Sequence, residues 1–116
     1  MAQSEQIRDA KVRYILERYL DKIKLEFAPA QVWVWGSRIY GEPDNYSDVD
    51  LIIVSERFQG IPFWKRRSLF REATGLSEDR NAEVVDVLCY TPEEFEERSA
   101  SPTTVREAVR KGARVV

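Results

Sequence analysis

Two aspartates stand one residue apart at the start of an apolar stretch, in Asp48-Val49-Asp50-Leu51-Ile52-Ile53-Val54. Side chains at positions i and i+2 of a β-strand leave the same face, with Cα atoms roughly 6.6–6.8 Å apart. Carboxylates about 5 Å apart repel by roughly 3 kcal/mol at an effective dielectric of about 20, and a divalent cation turns that repulsion into attraction. Hard oxygen ligands suit Mg²⁺. The spacing therefore indicates a Mg²⁺ site, although exposed aspartates at a turn have the same pattern.

A glycine-serine pair, Gly36-Ser37, directly follows the apolar run 31–35. Glycine lets the backbone approach an anion closely, and the serine hydroxyl and amide can donate hydrogen bonds to phosphate. Alone, the pair is typical of a plain turn. The whole pattern consists of an apolar strand, Gly-Ser, ten residues, Asp-x-Asp and a second apolar strand. Chance is expected to produce this pattern in only about one chain in a thousand. The joint pattern predicts a site that binds phosphate and metal.

A further aspartate, Asp86, interrupts the apolar run 84–88. Burying a carboxylate without a partner is costly, so a partner is expected whatever the function. That partner is either a metal ion or an arginine such as Arg80 or Arg114. Glu83 is a competing acid, but its odd–even parity places it on the opposite face of the strand from Asp86.

The motifs Gly36-Ser37-Arg38 and Ser47-Asp48-Val49-Asp50-Leu51 resemble the signature of the nucleotidyltransferase superfamily, to which DNA polymerase β and kanamycin nucleotidyltransferase belong. The short chain and its Gly-Ser-Arg start are most similar to the minimal nucleotidyltransferases. By motif, the resemblance covers roughly residues 30–90. It implies an enzyme with a third carboxylate on a neighbouring strand, and Asp86 supplies that carboxylate.

The resemblance also implies a role for each motif residue. Asp48 and Asp50 would hold Mg²⁺ on a triphosphate, with ATP the expected substrate, while Asp86 would complete a second metal position and accept the proton of an incoming hydroxyl. Two ions would stabilise the attacking and leaving oxygens of an in-line displacement that releases pyrophosphate. The residues that would contact the nucleotide are Gly36, Ser37, Arg38 and Ser47.

The composition excludes several classes of catalyst. The 116 residues carry 18 Lys+Arg, 20 Asp+Glu and no histidine, which rules out Ser-His-Asp and Cys-His nucleophile systems and histidine-bound zinc. Cys89 is the single cysteine and cannot form an intramolecular disulfide. The near-neutral charge excludes a uniformly basic nucleic-acid coat, and direct nucleic-acid binding is not expected. Two-metal chemistry on carboxylates needs no histidine.

The length predicts a single domain over residues 1–116. Charges within residues 1–13 exclude a signal-peptide core, and no apolar run approaches the about 20 residues of a membrane span. We therefore expect a cytoplasmic protein with no membrane partner.

Apolar periodicity predicts the element order α-β-β-α-β-α-α, which is typical of an α/β (α+β) domain. We expect a small mixed β-sheet with helices packed on one face, the core that the nucleotidyltransferase resemblance also implies. The predicted strands cover residues 31–35, 48–54 and 82–90. The first helix is predicted over residues 4–27, and the loop 36–47 has room for one helical turn at 38–40. The run Lys65-Arg66-Arg67 on the middle helix is interpreted as a solvated face.

Larger members of the superfamily carry an additional domain that contacts the base and the acceptor, and this sequence has none. In the minimal family an all-helical HEPN-type partner commonly supplies the surface that this additional domain would provide. The resemblance thus implies an antitoxin that adenylylates a tyrosine of a HEPN ribonuclease toxin. Two alternatives stay open: a binding module that neutralises a helical partner by contact alone, and nucleotide transfer to a small molecule or an RNA end. A homo-oligomer is also open.

Overall fold

The structure of the chain is a computed structural model that describes residues 7–41, 48–82 and 85–116. In these ranges a small sheet is surrounded by helices. The helices are α1 (Ala10–Phe27), α2 (Ser37–Tyr40), α3 (Phe63–Thr74), α4 (Pro92–Ser99) and α5 (Thr104–Lys111). The strands are β1 (Gln31–Trp35), β2 (Val49–Val54), β3 (Val85–Tyr90) and β4 (Ala113–Arg114). None of these helices is both long enough and apolar enough to cross a membrane.

The sheet is mixed, as predicted, with the strand order β3-β2-β1-β4. Strand β1 pairs antiparallel with β2 and with β4, whereas β2 and β3 are parallel. Residues 36–48 join β1 to its antiparallel neighbour β2, while α3 lies in the helical crossover that the parallel pair β2 and β3 requires. As a result β2 is an inner strand between β1 and β3, and β3 lies at one edge.

The larger core lies between one face of the sheet and helices α1 and α3. Its strand residues are Val32, Val34, Val49, Leu51, Ile53, Val85, Val87, Cys89 and Ala113. Buried helix residues that meet them include Val12, Ile15, Ile23, Phe27 and Phe70. The alternation along each strand therefore fixes the opposite face as the one that carries Asp50 and Asp86.

Helices α4 and α5 cover part of that opposite face. Phe95 of α4 and Val105 and Ala108 of α5 form a second, smaller buried cluster with Ile52 and Tyr90 of the strands. The α+β class and the small mixed sheet are confirmed. Helices α1 and α3 share one face as expected, but the remaining pair packs on the other, because the apolar stripes of α4 and α5 meet large apolar side chains there.

Helix α1 begins later than the sequence analysis predicted, and α2 begins one residue earlier. Helix α1 begins at Ala10 because the Asp9 carboxylate accepts hydrogen bonds from the backbone N–H groups of Lys11 and Val12, at 3.0 and 3.1 Å. Such a cap ends the helix on its N-terminal side. The helical turn anticipated within the loop is present as α2, which spans Ser37–Tyr40.

Candidate active site

Gly36 lies where β1 ends and α2 begins, directly against the Asp50 carboxylate. Its φ of +90° is in the region that L side chains rarely adopt. A Cβ atom added at Gly36 would collide with Oδ2 of Asp50. Glycine is therefore required here both for the backbone conformation and for the close approach of the carboxylate to the chain.

Asp50 occupies the centre of the candidate site because β2 is flanked on both sides. Its partner in β1 is Trp35, and its partner in the parallel strand β3 is Asp86. Adjacent strands lie about 4.8 Å apart, and residues paired in register point to the same face. The structure thus brings together two acids that are 36 positions apart in the sequence.

The acids act on one another electrostatically. Burial raises the pKa of Asp50 to about 6, and the charges of Asp86 and then Asp48 contribute to the same shift. Each of these effects disfavours the ionised carboxylate. A nearby cation would remove this penalty, so the pair is arranged to favour a positive ligand.

Asp48 is exposed immediately before β2, on the same side as Asp50 by strand parity. Within residues 7–41, 48–82 and 85–116, no three acidic, cysteine or histidine side chains converge closely enough to hold one metal ion. The Asp50 and Asp86 pair nevertheless suits Mg²⁺, which takes one or two protein carboxylates and fills its other positions with water and phosphate. Asp48 lies at the margin of this pair rather than inside it.

Asp86 has an arginine partner that differs from the two expected from the sequence. Its Oδ1 lies 3.5 Å from Nε of Arg67 on α3, and it also accepts a hydrogen bond of 3.1 Å from the backbone N–H of Val87. An arginine was one of the two alternatives, and the structure supplies Arg67 in place of the examples Arg80 and Arg114. Nε of Arg114 instead donates to the carbonyl of Val116 at 2.7 Å. The partner comes from α3 because that helix runs beside the open edge of β3.

The interpretation of 65–67 as a solvated face is wrong for Arg66, which is buried. Its Nη1 donates to Oε1 of Glu94 at 2.6 Å and to the Cys89 carbonyl at 3.1 Å. A signal for this was present in the sequence, because Phe63, Arg66 and Phe70 follow the three- and four-residue spacing of one helix face.

Ser37 and Arg38, the other residues of the first motif, lie in different surroundings. Ser37 is half-buried at the start of α2, whose first turn closes on the Gly36 carbonyl. Nη1 of Arg38 bonds Oδ2 of Asp9 at 2.9 Å, with both side chains largely buried. The structure thus shows Arg38 tying the motif turn to the N-terminus of α1. Ser47 and Glu83 lie outside the described residues.

The chain matches the pattern of the nucleotidyltransferase domain family over residues 12–114. It belongs to that family. The general activity is therefore nucleotidyl transfer, and domains of this kind generally use a nucleoside triphosphate and divalent metal ions. No curated protein is significantly similar to it in sequence.

Solved structures support the fold. A protein from Sulfolobus solfataricus that is described as a candidate nucleotidyltransferase is similar, with a TM-score of 0.54, 17% identity, and coverage of 84% of this chain and 82% of that one. The BolA domain of SufE1 and the protein BolA1, both from Arabidopsis thaliana, have TM-scores of 0.52 and 0.53 and identities of 24% and 23%. Each covers 67% of this chain and 92% of its own. At these identities the likeness concerns the arrangement of helices and strands alone.

Proposed function

We propose that this nucleotidyltransferase domain transfers a nucleoside monophosphate, with ATP as donor, to a hydroxyl group in a Mg²⁺-dependent reaction. The observation that carries the proposal is the pairing of Asp50 with Asp86 on adjacent strands, directly beside Gly36. Gly36 and Asp50 belong to the two sequence motifs, and Asp86 is the third carboxylate that the family resemblance implies. The raised pKa of Asp50 adds an electrostatic reason for a cation to bind there.

Each residue has a distinct task in this reaction. Asp50 and Asp86, with Asp48 at the margin, would hold the metal, which when bound stabilises charge on the attacking and leaving oxygens. Asp86 is the partly exposed acid, at 45%, and would accept the proton of the incoming hydroxyl. The acceptor oxygen forms a bond to the α-phosphorus while the bond from that phosphorus to pyrophosphate breaks. Because Gly36 has no side chain, its backbone can approach a phosphate group closely.

We propose further that the acceptor is a tyrosine of an all-helical HEPN-type toxin, and that the chain acts as its antitoxin. The support is the similarity of the Gly36-Ser37-Arg38 and Asp48-Val49-Asp50 motifs to the minimal nucleotidyltransferases. Asp86 and Arg67 are each about half exposed, so a large acceptor can reach the carboxylates from solvent. A partner that covers this region would also exclude water from the transfer.

The test is transfer of label from α-labelled ATP, in the presence of Mg²⁺, to a purified all-helical HEPN-type protein. Asp50→Asn combined with Asp86→Asn is expected to abolish labelling. Asp21→Asn, which changes an exposed acid on α1, is the matched control and is expected to label normally. Labelling that survives the double substitution would show that these carboxylates are not the catalytic acids.

The same experiment separates the competing functions. If the double variant still neutralises the partner fully although no label moves, the chain acts by contact alone. If label passes instead to an RNA 3′ end or to a small molecule, the enzyme is retained and the proposed acceptor is wrong.

A further inference from the structure

Arg67 is a cationic side chain that contacts Asp86 directly. Its Nε lies 3.5 Å from Oδ1 of Asp86. The Arg67 and Asp86 side chains are 55% and 45% exposed, so solvent and small ions reach both groups. An exposed pair of this kind is weak, about 0–1 kcal/mol, and it can be exchanged for a stronger interaction.

The backbone of α3 is held so that Arg67 faces Asp86. Arg71 donates from Nη1 to the Val85 carbonyl at 2.9 Å, and Arg66 donates from Nη1 to the Cys89 carbonyl at 3.1 Å. Val85 and Cys89 belong to the edge strand β3, which also carries Asp86. Arg66 and Arg71 therefore hold α3 along this edge, while the Arg67 side chain remains 55% exposed.

From this arrangement we propose that Arg67 is a positioning residue that competes with divalent cations for Asp86 and so controls metal loading. The inference rests on the proposed function, since it assumes that Asp86 binds metal. A cation bound at Oδ1 would lie within a few ångströms of the guanidinium, and two positive charges at that distance repel. The guanidinium therefore opposes metal binding while it stays at Asp86, and its exposed position allows it to move away.

The competition weakens metal binding, so removal of the charge strengthens it. In titrations with Mn²⁺ as the probe and without nucleotide, Arg67→Gln is expected to lower the Mn²⁺ dissociation constant roughly two- to fivefold. Arg67→Lys keeps the charge and is expected to remain near the original value. Lys65→Gln removes an exposed cation from the same helix and is the matched control. The advantage of Arg67→Gln should shrink as salt rises.

Mn²⁺ binding can be read by electron paramagnetic resonance of the free ion, which is independent of catalysis. Circular dichroism establishes that each variant is folded, and Arg67→Met, which also removes the charge, retains the test if Arg67→Gln does not fold. Equal or weaker Mn²⁺ binding by Arg67→Gln, while binding still depends on Asp86, overturns the role of Arg67 alone. Equal binding by the unchanged chain and Asp86→Asn overturns the metal site and the proposed function with it.

Discussion

At the scale of single residues, the site is defined by a carboxylate held in an unfavourable electrostatic environment. Asp50 sits on an inner strand between Trp35 and Asp86, and the backbone of Gly36 lies against it. Burial and like charges together raise the pKa of Asp50 to about 6. The fold thus accepts an energetic cost at the position where the proposed chemistry needs negative charge.

This cost makes stability depend on pH in a definite direction. The pKa of Asp50 is about 6 in the folded chain against an ordinary value of 3.8, so the folded state binds the proton more tightly. The Asp50 contribution to stability is full below about pH 4 and is lost as pH rises through about 6. Allowing for solvent screening, we expect a loss of about 1–2 kcal/mol.

Urea unfolding in EDTA between pH 4.5 and 7.5 measures this effect. Asp50→Asn should lack this loss. The free energy of unfolding of the variant should therefore increase relative to that of the unchanged chain as pH rises. A constant difference between the two chains across this range would contradict the assignment of the raised pKa to Asp50.

Gly36 provides a second test at this scale. Gly36→Ala forces a Cβ into the Asp50 carboxylate and strains a positive φ, so we expect a loss of about 2–4 kcal/mol in urea unfolding. Gly60→Ala is the matched control, because Gly60 has a φ of +78° and nothing within 4 Å of the added atom. It should cost only about 1 kcal/mol. Equal losses in the two variants would show that the close approach to Asp50 is unimportant.

At the scale of elements, α4 is fixed to the rest of the fold through its first turn. The Glu94 carboxylate accepts from the Thr91 backbone N–H at 2.8 Å and the Glu94 N–H donates to the Thr91 hydroxyl at 3.3 Å, a reciprocal cap that the Thr-Pro-Glu-Glu sequence predicts. The same carboxylate binds Arg66. One side chain therefore caps α4 and joins it to α3.

Glu94→Gln retains a residue suited to the cap but removes the charge that Arg66 faces. Arg66 has only 6% of its side chain exposed, so we expect a loss of about 1–3 kcal/mol. The bond with Arg66 lowers the pKa of Glu94, so this contribution is present above the unfolded pKa and is lost as pH falls through the folded one. Thermal unfolding at neutral and at acidic pH measures both effects.

The matched control for this prediction is Glu96→Gln, which changes an exposed acid on the same helix. It should alter stability by less than about 0.5 kcal/mol. A comparable loss in both variants would mean that the Arg66 pair contributes nothing beyond the general charge of α4.

At the scale of the whole molecule, three phenylalanines connect elements that are remote in sequence. The ring centroid of Phe27 on α1 lies 5.3 Å from that of Phe58 and 4.9 Å from that of Phe70 on α3. These three rings belong to the larger core. They fix α1 and α3 together on the face of the sheet opposite Asp50 and Asp86.

Phe70→Ala is expected to destabilise the whole chain by about 3–5 kcal/mol, because it leaves a cavity within this aromatic cluster. Leu25→Ala removes a large apolar side chain that is 72% exposed and should cost less than about 0.5 kcal/mol. Chemical denaturation followed by tryptophan fluorescence measures both. A small loss for Phe70→Ala would show that the cluster does not hold the helices against the sheet.

Local patterns were sufficient to predict much of the fold and part of the site. Strand alternation in 48–54 places Asp50 opposite the larger core, and the turn at Gly36-Ser37 follows from residues that end a strand. Strand β4 was missed because a two-residue strand, Ala113–Arg114, has no periodicity of its own. The packing of α4 and α5 on the second face was missed because an amphipathic stripe does not specify which surface will cover it.

The sequence by itself paired Asp48 with Asp50, because their i and i+2 spacing on a strand is a local property, and the family resemblance added Asp86 as the third carboxylate. Only the tertiary structure decided the partner of Asp86. Arg67 reaches it from α3, because β3 is an edge strand and side chains of this helix donate to the β3 carbonyls. Contacts across a sheet edge depend on the placement of whole elements, and no spacing along the chain encodes that placement.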